Sequence, residues 1–329
     1  MVRKDDEGRV SAGVESVAIE ALPEGDVLIR VAFSSLNYKD ALACQGHPGV
    51  VRSFPHIPGV DCAGTIVESA ADAFRPGDEV IVTGYELGAG RWGGFAGYVR
   101  VPADWIVPLP AGLSLREAMI YGTAGFTAAQ SVQAIVERGI APDRGPVVVT
   151  GATGGVGSLA VAILAQLGYE VVAVTGKADR HDWLRKLGAV RICDRGDVTD
   201  SSDRPLLAAR WAAAVDTVGG LPLVTILRSM QHRGCVAACG LVAGPELPMS
   251  VYPFILRGVT LAGIDSAKCP RPERLEIWRK LAGEWHIERL ESVASEATLD
   301  ELPERVEQIL AGQITGRTLV VPKSAAAGA

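Results

Sequence analysis

Residues 147–177, VVVTGATGGVGSLAVAILAQLGYEVVAVTGK, restrict the fold more than any other stretch. A β-branched run enters a loop holding Gly151, Gly154, Gly155 and Gly157. An apolar, helix-periodic segment follows, and β-branched residues return from about Glu170. Glycines spaced in this way let the backbone turn tightly and approach a pyrophosphate closely. The helix after them aims free N–H groups and its positive end at the anion. A bare three-glycine pattern often serves only as a tight turn. The strand–loop–helix–strand frame here predicts dinucleotide binding.

The second strand of such a unit usually reports on the ribose. An acid at its end accepts hydrogen bonds from ribose hydroxyls and repels a 2′-phosphate, which a cation accommodates. Here the strand ends on Thr175, Gly176 and Lys177: a hydroxyl, a backbone nest and a cation. Arg180 and Arg191 are close enough in sequence to add charge, and Asp179 falls past the strand end. This arrangement predicts NADPH rather than NADH, the alternative being that Lys177 is a solvated residue at a helix start.

Around this unit the chain changes character. Before residue 114 the pattern is β: 26–34, 62–68, 79–83, 95–101 and 105–108 read as strands split by turns such as Arg75-Pro76-Gly77-Asp78. No long helix is expected there, and a small barrel is. Residues 114–122 and 127–138 read as helices. From Val147 strands and helices alternate at 147–150, 156–167, 170–174, 180–187, 190–193, 213–217, 221–229, 234–240 and 259–264. This implies a parallel sheet covered on both faces. After a helix near 272–283, residues 287–294 and 317–321 return to strand character. The expected organisation is α/β: a β-barrel domain (1–121 and 285–329) with an inserted doubly wound Rossmann domain (122–284). The end of the chain, 324–329, is expected to fray.

Net charge is −6 with no long basic run, so nucleic acid is not an expected partner. No apolar stretch is long enough to span a bilayer, and the charged opening MVRKDDE is no signal peptide. The six cysteines are scattered, as expected of free thiols in a reducing compartment, here the cytoplasm.

Several stretches together resemble one family: SSLNYKDALA (34–43), PHIPGVDCAGTI (55–66), RPGDEV (75–80), GGFAGY (93–98), IYGTAGFTAAQSV (120–132), TGATGGVG (150–157), DTVGG (216–220), ACGLVAG (238–244), GIDS (263–266) and GRTLV (316–320). They are similar to the zinc-independent medium-chain dehydrogenase/reductase superfamily, and within it to the acryloyl-CoA reductase (NADPH) branch often labelled quinone oxidoreductase. The resemblance covers nearly the whole chain. It implies a GroES-like β domain, a Rossmann domain, a cleft between them and a homodimer. Relatives commonly begin with an apolar strand before the segment matching VRKDDEG, so the first strand is expected to be short or the start to lie upstream.

Zinc-using relatives place a cysteine and a histidine–glutamate pair where this chain has NYKD and PGVD, and add four clustered cysteines. Zinc needs three or four such ligands, and none of these sets is found in the sequence. Without Lewis-acid help, a suitable hydride acceptor is a double bond conjugated to a carbonyl, with charge building on the carbonyl oxygen and a proton reaching Cα. The resemblance brings Tyr38 beside the cofactor. Tyr38 is a candidate proton or hydrogen-bond donor, with a half-buried aromatic as the plainer alternative. Asn37 hydrogen-bonds without titrating. Arg317 either meets the substrate or forms a structural ion pair. By the same resemblance Thr153, Gly154, Gly155 and Val156 hold the pyrophosphate, and Thr175, Gly176, Lys177 and Arg191 the adenosine-phosphate end. Leu241, Ser266 and, more weakly, Gln313 lie near the rest of the cofactor.

The leading expectation is NADPH-dependent reduction of an α,β-unsaturated acyl-CoA, acryloyl-CoA first. Reduction of quinones or small enones is the rival, and an NADPH-binding protein with little turnover ranks lower. Arg52, Arg91, Lys268, Arg271 and Arg274 are candidate cations for CoA phosphates, each equally readable as surface charge.

Overall fold

The computed structural model describes residues 1–322; the expected frayed tail lies outside them. The chain forms two compact units: Met1–Thr123 with Ala267–Ala282 and Leu290 onward, and Ala124–Ser266 with Gly283–Arg289.

The first unit opens with a small antiparallel hairpin, β1 (Val2–Lys4) and β2 (Val10–Ala12). Then come β3 (Val27–Leu36), α1 (Tyr38–Cys44), β4 (Asp61–Ser69), β5 (Glu79–Thr83), β6 (Tyr98–Val101) and β7 (Val107–Pro108). The long α2 (Leu115–Glu137) follows and carries the chain out of this unit. It is two helical stretches, as the reading of 114–122 and 127–138 expects, joined across a kink at Gly122, whose φ of 49° and ψ of −155° suit glycine alone. The second unit comprises β8 (Val147–Val149), α3 (Gly155–Gln166), β9 (Val171–Val174), α4 (His181–Lys186), β10 (Arg191–Cys193), β11 (Trp211–Asp216), α5 (Gly220–Arg228), β12 (Met230–Ala238), α6 (Tyr252–Arg257) and β13 (Thr260–Gly263). The chain then returns with α7 (Arg271–Ala282), β14 (Ala294–Thr298), α8 (Leu302–Leu310) and β15 (Arg317–Val321).

In the first unit, seven strands form a sheet in the order β14-β15-β3-β4-β5-β7, with β6 also pairing β3. Apart from the parallel β14–β15 pair, the neighbours are antiparallel. Alternation along β3 buries Val27, Ile29 and Val31 against Cys62, Ile66, Val80, Val82, Val99 and Ile106. The pairing of β15 with β3 sets Thr318 opposite Leu36 and Leu319 opposite Ser35, so a residue from the end of the chain is delivered beside NYKD.

The second unit is a six-stranded, wholly parallel sheet in the order β10-β9-β8-β11-β12-β13. β8 and β11 are neighbours, and the connections run outward from them in opposite directions. The loop after β8 therefore stands at the topological switch point where such sheets bind ligands. Val147–Val149, Val171–Ala173 and Ala213–Val215 are fully buried, as strands covered on both faces must be.

Several expectations are corrected. Residues 103–105 form a single 3₁₀ turn, leaving only Val107–Pro108 to pair. The segment 287–294 is not a strand: Leu290–Val293 makes a 3₁₀ turn with Leu290 and Val293 buried, and pairing begins at Ala294. The boundary at 284 also moves. Ala267–Ala282 belongs to the first unit because the fully buried Arg274 donates to Thr83 O at 2.8 Å and Oγ1 at 3.0 Å, and Tyr85 N–H bonds Ala267 O. Burial removes Arg274 from the candidate CoA cations. Among the described residues no helix is long and apolar enough to cross a membrane.

Candidate cofactor and active site

In the second unit, β8 ends at the glycine loop and α3 begins at Gly155, with Gly154 as its cap in extended conformation. Gly151 has φ 57°. A Cβ on Gly157 would stand 2.3 Å from Gly151 O, so only glycine lets the first turn of α3 close over the loop. A Cβ on Gly154 would meet nothing nearer than Gly151 O at 3.3 Å, so the loop is open there for another group's close approach. Asp216, at the end of β11, fixes the loop from the side. Its buried carboxylate accepts from Thr150 Oγ1 (2.8 Å) and Gly219 N–H (2.7 Å), and burial raises its pKa. Thr217 N–H and Oγ1 complete the link to Thr150.

At the end of β9, Thr175 is buried with its hydroxyl 3.3 Å from that of Thr153, and it accepts from Lys177 N–H at 3.1 Å. Lys177 is partly buried. Burial, then the nearby Arg180, lowers its pKa; Arg195 acts in the same direction, and Asp179 opposes them. Cations gathered at one strand end make a site for an anion. Arg191 is not among them. It starts β10 opposite Val172, at the other edge of the sheet, with its guanidinium 5.8 Å from the Trp211 ring centroid. The residue that reaches the strand end is Arg195, just past β10: a Cβ on Gly176 would meet its Nε at 2.9 Å. In a parallel sheet only residues after a strand's C-terminal end share the ligand edge. Leu241, exposed beyond β12, and Ser266, beyond β13, both meet that rule.

In the first unit, NYKD opens α1, too short for periodicity to reveal. Asn37 caps it, and Asp40 accepts from Asn37 N–H at 2.8 Å. The other Asp40 oxygen accepts from Val60 N–H (2.8 Å) and Gly59 N–H (3.2 Å). Asp40 is fully buried. Burial, and after it the charge of Asp61, push its carboxyl up to about 7 despite these donors. Asp61, equally buried, accepts from Ser35 Oγ (2.6 Å), Asn37 Nδ2 (2.8 Å), Thr123 N–H (2.9 Å) and Thr123 Oγ1 (2.5 Å). Arg317 Nη2 is 3.8 Å from it. Neither Asp61's role nor Thr123's is legible in the sequence, where NYKD and PGVD mark only the places in which zinc-using relatives carry metal ligands.

Arg317 is 3% exposed. It donates to Ile120 O (2.9 Å), Leu36 O (3.3 Å), Asn37 Oδ1 (3.2 Å) and Ser35 Oγ (2.8 Å). With its donors so engaged it has no hand for a substrate, and of the two readings the internal ion pair is the observed one. Tyr38, by contrast, is 44% exposed on the first helical residue. Gln313 is exposed in the turn before β15. Among the described residues no group of three or more His, Cys, Asp or Glu is arranged to hold a metal ion.

Residues 23–111 match the alcohol dehydrogenase GroES-like domain, and residues 155–282 the zinc-binding dehydrogenase family. The chain is 46% identical to the acrylyl-CoA reductase AcuI of Ruegeria pomeroyi over 97% of both sequences. It is 48% identical to the putative quinone oxidoreductase YhfP of Bacillus subtilis over 94% of each. A crystal structure of the YhdH oxidoreductase of Salmonella enterica in complex with NADP matches with TM-score 0.94 at 48% identity, covering 97% of this chain and 98% of that one. The B. subtilis YhfP structure with NAD bound matches with TM-score 0.94 at 46% identity over the same shares. The two-unit fold, the glycine loop at the switch point and this similarity along nearly the whole length agree: the chain is an oxidoreductase of the medium-chain dehydrogenase/reductase superfamily.

Proposed function

We propose that this protein reduces the carbon–carbon double bond of an α,β-unsaturated acyl-CoA, acrylyl-CoA first, with NADPH. The observation that carries the cofactor is the strand end after β9, where Lys177, Arg180 and Arg195 gather beside the paired hydroxyls of Thr153 and Thr175. The residues fit NADPH: a glycine cradle and the α3 amides for the pyrophosphate, cations for the 2′-phosphate. The reductase named from Ruegeria supports the acyl-CoA substrate.

When bound, the reduced nicotinamide supplies the hydride. The protein's own tasks are to orient the acceptor and to meet charge as it builds on the thioester oxygen. Tyr38 is the side chain suited to donate there: its phenol is exposed, and its backbone is fixed by the Asn37 cap. A single placed hydrogen bond of this kind is worth roughly 10²–10³ in rate. Arg317 is left out of the chemistry.

The name of the Bacillus relative favours a second reading, a quinone or small-enone reductase on the same cofactor. The test is NADPH oxidation with acrylyl-CoA, with the same acyl group on a truncated thioester, and with a simple quinone, each repeated with NADH. Turnover of acrylyl-CoA that falls sharply on truncation supports the acyl-CoA reading, because remote binding energy is then used in the transition state. Turnover of the quinone alone overturns it. Oxidation of NADPH with none of the acceptors leaves a binding protein.

The reading extends to assembly and location. β13 ends the parallel sheet with an open edge, and α6 before it exposes Tyr252, Ile255 and Leu256. An open edge beside apolar side chains suits pairing with a second copy. All six cysteines are free thiols, in keeping with the cytoplasm.

A further inference from the structure

We infer that Asp61 and Arg317 are positioning residues that act on Tyr38 through Asn37. The Asn37 amide is the group shared by every charge in the buried cluster. Its Oδ1 accepts from Arg317 Nη1 at 3.2 Å, and its Nδ2 donates to Asp61 at 2.8 Å and Asp40 at 3.2 Å, with Ser35 O also at 3.2 Å. Both ends of the amide are thus held, and Tyr38 is the next residue. Arg317 and Asp61 are tied to each other through Ser35 Oγ, 2.8 Å from one and 2.6 Å from the other. Gly122 is the floor of the cluster. A Cβ there would lie 2.5 Å from Asp61 Oδ2 and Ser35 Oγ and 2.9 Å from Arg317 Nη2.

Stability alone accounts poorly for this arrangement. Two carboxylates and a guanidinium are withdrawn from water, and buried ion pairs commonly add little over well-packed apolar side chains. The groups come from β3, the start of α1, β4, the break in α2 and β15. What such a grid delivers is a fixed site for the residue it surrounds, since a catalytic donor loses most of its worth when displaced by about 1 Å.

The inference rests on the reading of Tyr38 as the donor to the reacting carbonyl, and a double-mutant cycle separates the two. Tyr38→Phe, Arg317→Lys and the double variant are assayed with NADPH and acrylyl-CoA, alongside thermal unfolding of each. Tyr38→Phe is expected to lower kcat roughly 10²-fold. Arg317→Lys keeps the charge but not the fork, and should lower kcat at least about tenfold with KM for NADPH unchanged. The double variant should be no slower than Tyr38→Phe, because displacing a missing hydroxyl costs nothing further. Losses that multiply overturn the inference while leaving Tyr38 as donor; so does an Arg317→Lys variant that melts earlier with kcat intact. An unaltered kcat in Tyr38→Phe overturns the reading of Tyr38 itself and the inference with it. If Arg317→Lys fails to fold, Ser35→Ala, which removes only the bridging hydroxyl, takes its place in the cycle with the same expectation of non-additivity.

Discussion

Removing charge at the end of β9 should cost the protein its preference for NADPH. Lys177 is held with its ammonium disfavoured by burial and by Arg180 and Arg195. A dianionic 2′-phosphate reverses that balance, because each cation then gains a charge-assisted hydrogen bond worth about 1.5–3 kcal/mol. At about 1.4 kcal/mol per factor of ten, Lys177→Met or Arg195→Ala should raise KM for NADPH roughly 10- to 150-fold. NADH carries no 2′-phosphate, so its KM should hardly move. Steady-state kinetics with both cofactors test this. Arg191→Ala is the internal control: Arg191 stands over Trp211 at the opposite edge, so its loss should leave selectivity untouched. Unchanged NADPH-to-NADH selectivity in both Lys177→Met and Arg195→Ala refutes the phosphate site. A large effect of Arg191→Ala refutes the placement of the strand ends.

Three further outcomes follow from the geometry. Gly122→Ala forces a side chain into glycine-only backbone and against three polar atoms of the buried cluster. It should cost about 2–5 kcal/mol of stability in chemical denaturation, and an unfolding midpoint within error of the wild type would contradict the packing. Asp40 has its carboxyl pushed from the ordinary 3.8 to about 7. The folded state therefore binds this proton more tightly than the unfolded chain. The group's contribution is fully present below about pH 4 and is lost as pH rises to about 7. Stability profiles should show that decline in the wild type and a flatter curve in Asp40→Asn, and parallel curves would rule the linkage out. Light scattering should find a dimer that Ile255→Asp with Leu256→Asp converts to a monomer, whereas a monomeric wild type at working concentration removes the edge-pairing proposal.

The parts legible in the sequence were those with short-range signatures. β8, α3 and β9 announce themselves because hydrophobic period changes from two to about 3.6 and back within residues 147–177. Arg317–Val321 was readable as a strand for a similar reason, an apolar β-branched run. The misreadings share a cause as well. Arg191 and Arg195 both lie near Lys177 in sequence. Only the direction of β10 decides which of them reaches the ligand edge, and proximity along the chain carries no direction. The strand at Ala294–Thr298 (ASEAT) is polar and pairs at the sheet's edge, so apolar content pointed instead to Ile287–Ala294. α1 is seven residues long, too few for a face to repeat.

The buried cluster was the least legible feature, because it is a product of topology rather than of pattern. Arg317 meets Asp61 only because β15 pairs with β3 after the chain has left the first unit at Thr123 and returned to it. Each motif is ordinary by itself: NYKD looks like a helix cap, PGVD like a turn into a strand, GRTLV like the start of a strand. Brought together they bury two acids and one guanidinium, each hydrogen-bonded to Asn37, with the half-exposed Tyr38 next in sequence. Without Arg317, Asp61 and Asp40 would stand together with no cation, which disfavours their joint ionisation and burial. The return of the chain to its first unit therefore does more than close a sheet. It supplies the charge that lets the NYKD corner exist in the form described, and it makes the presentation of Tyr38 depend on the last strand of the fold.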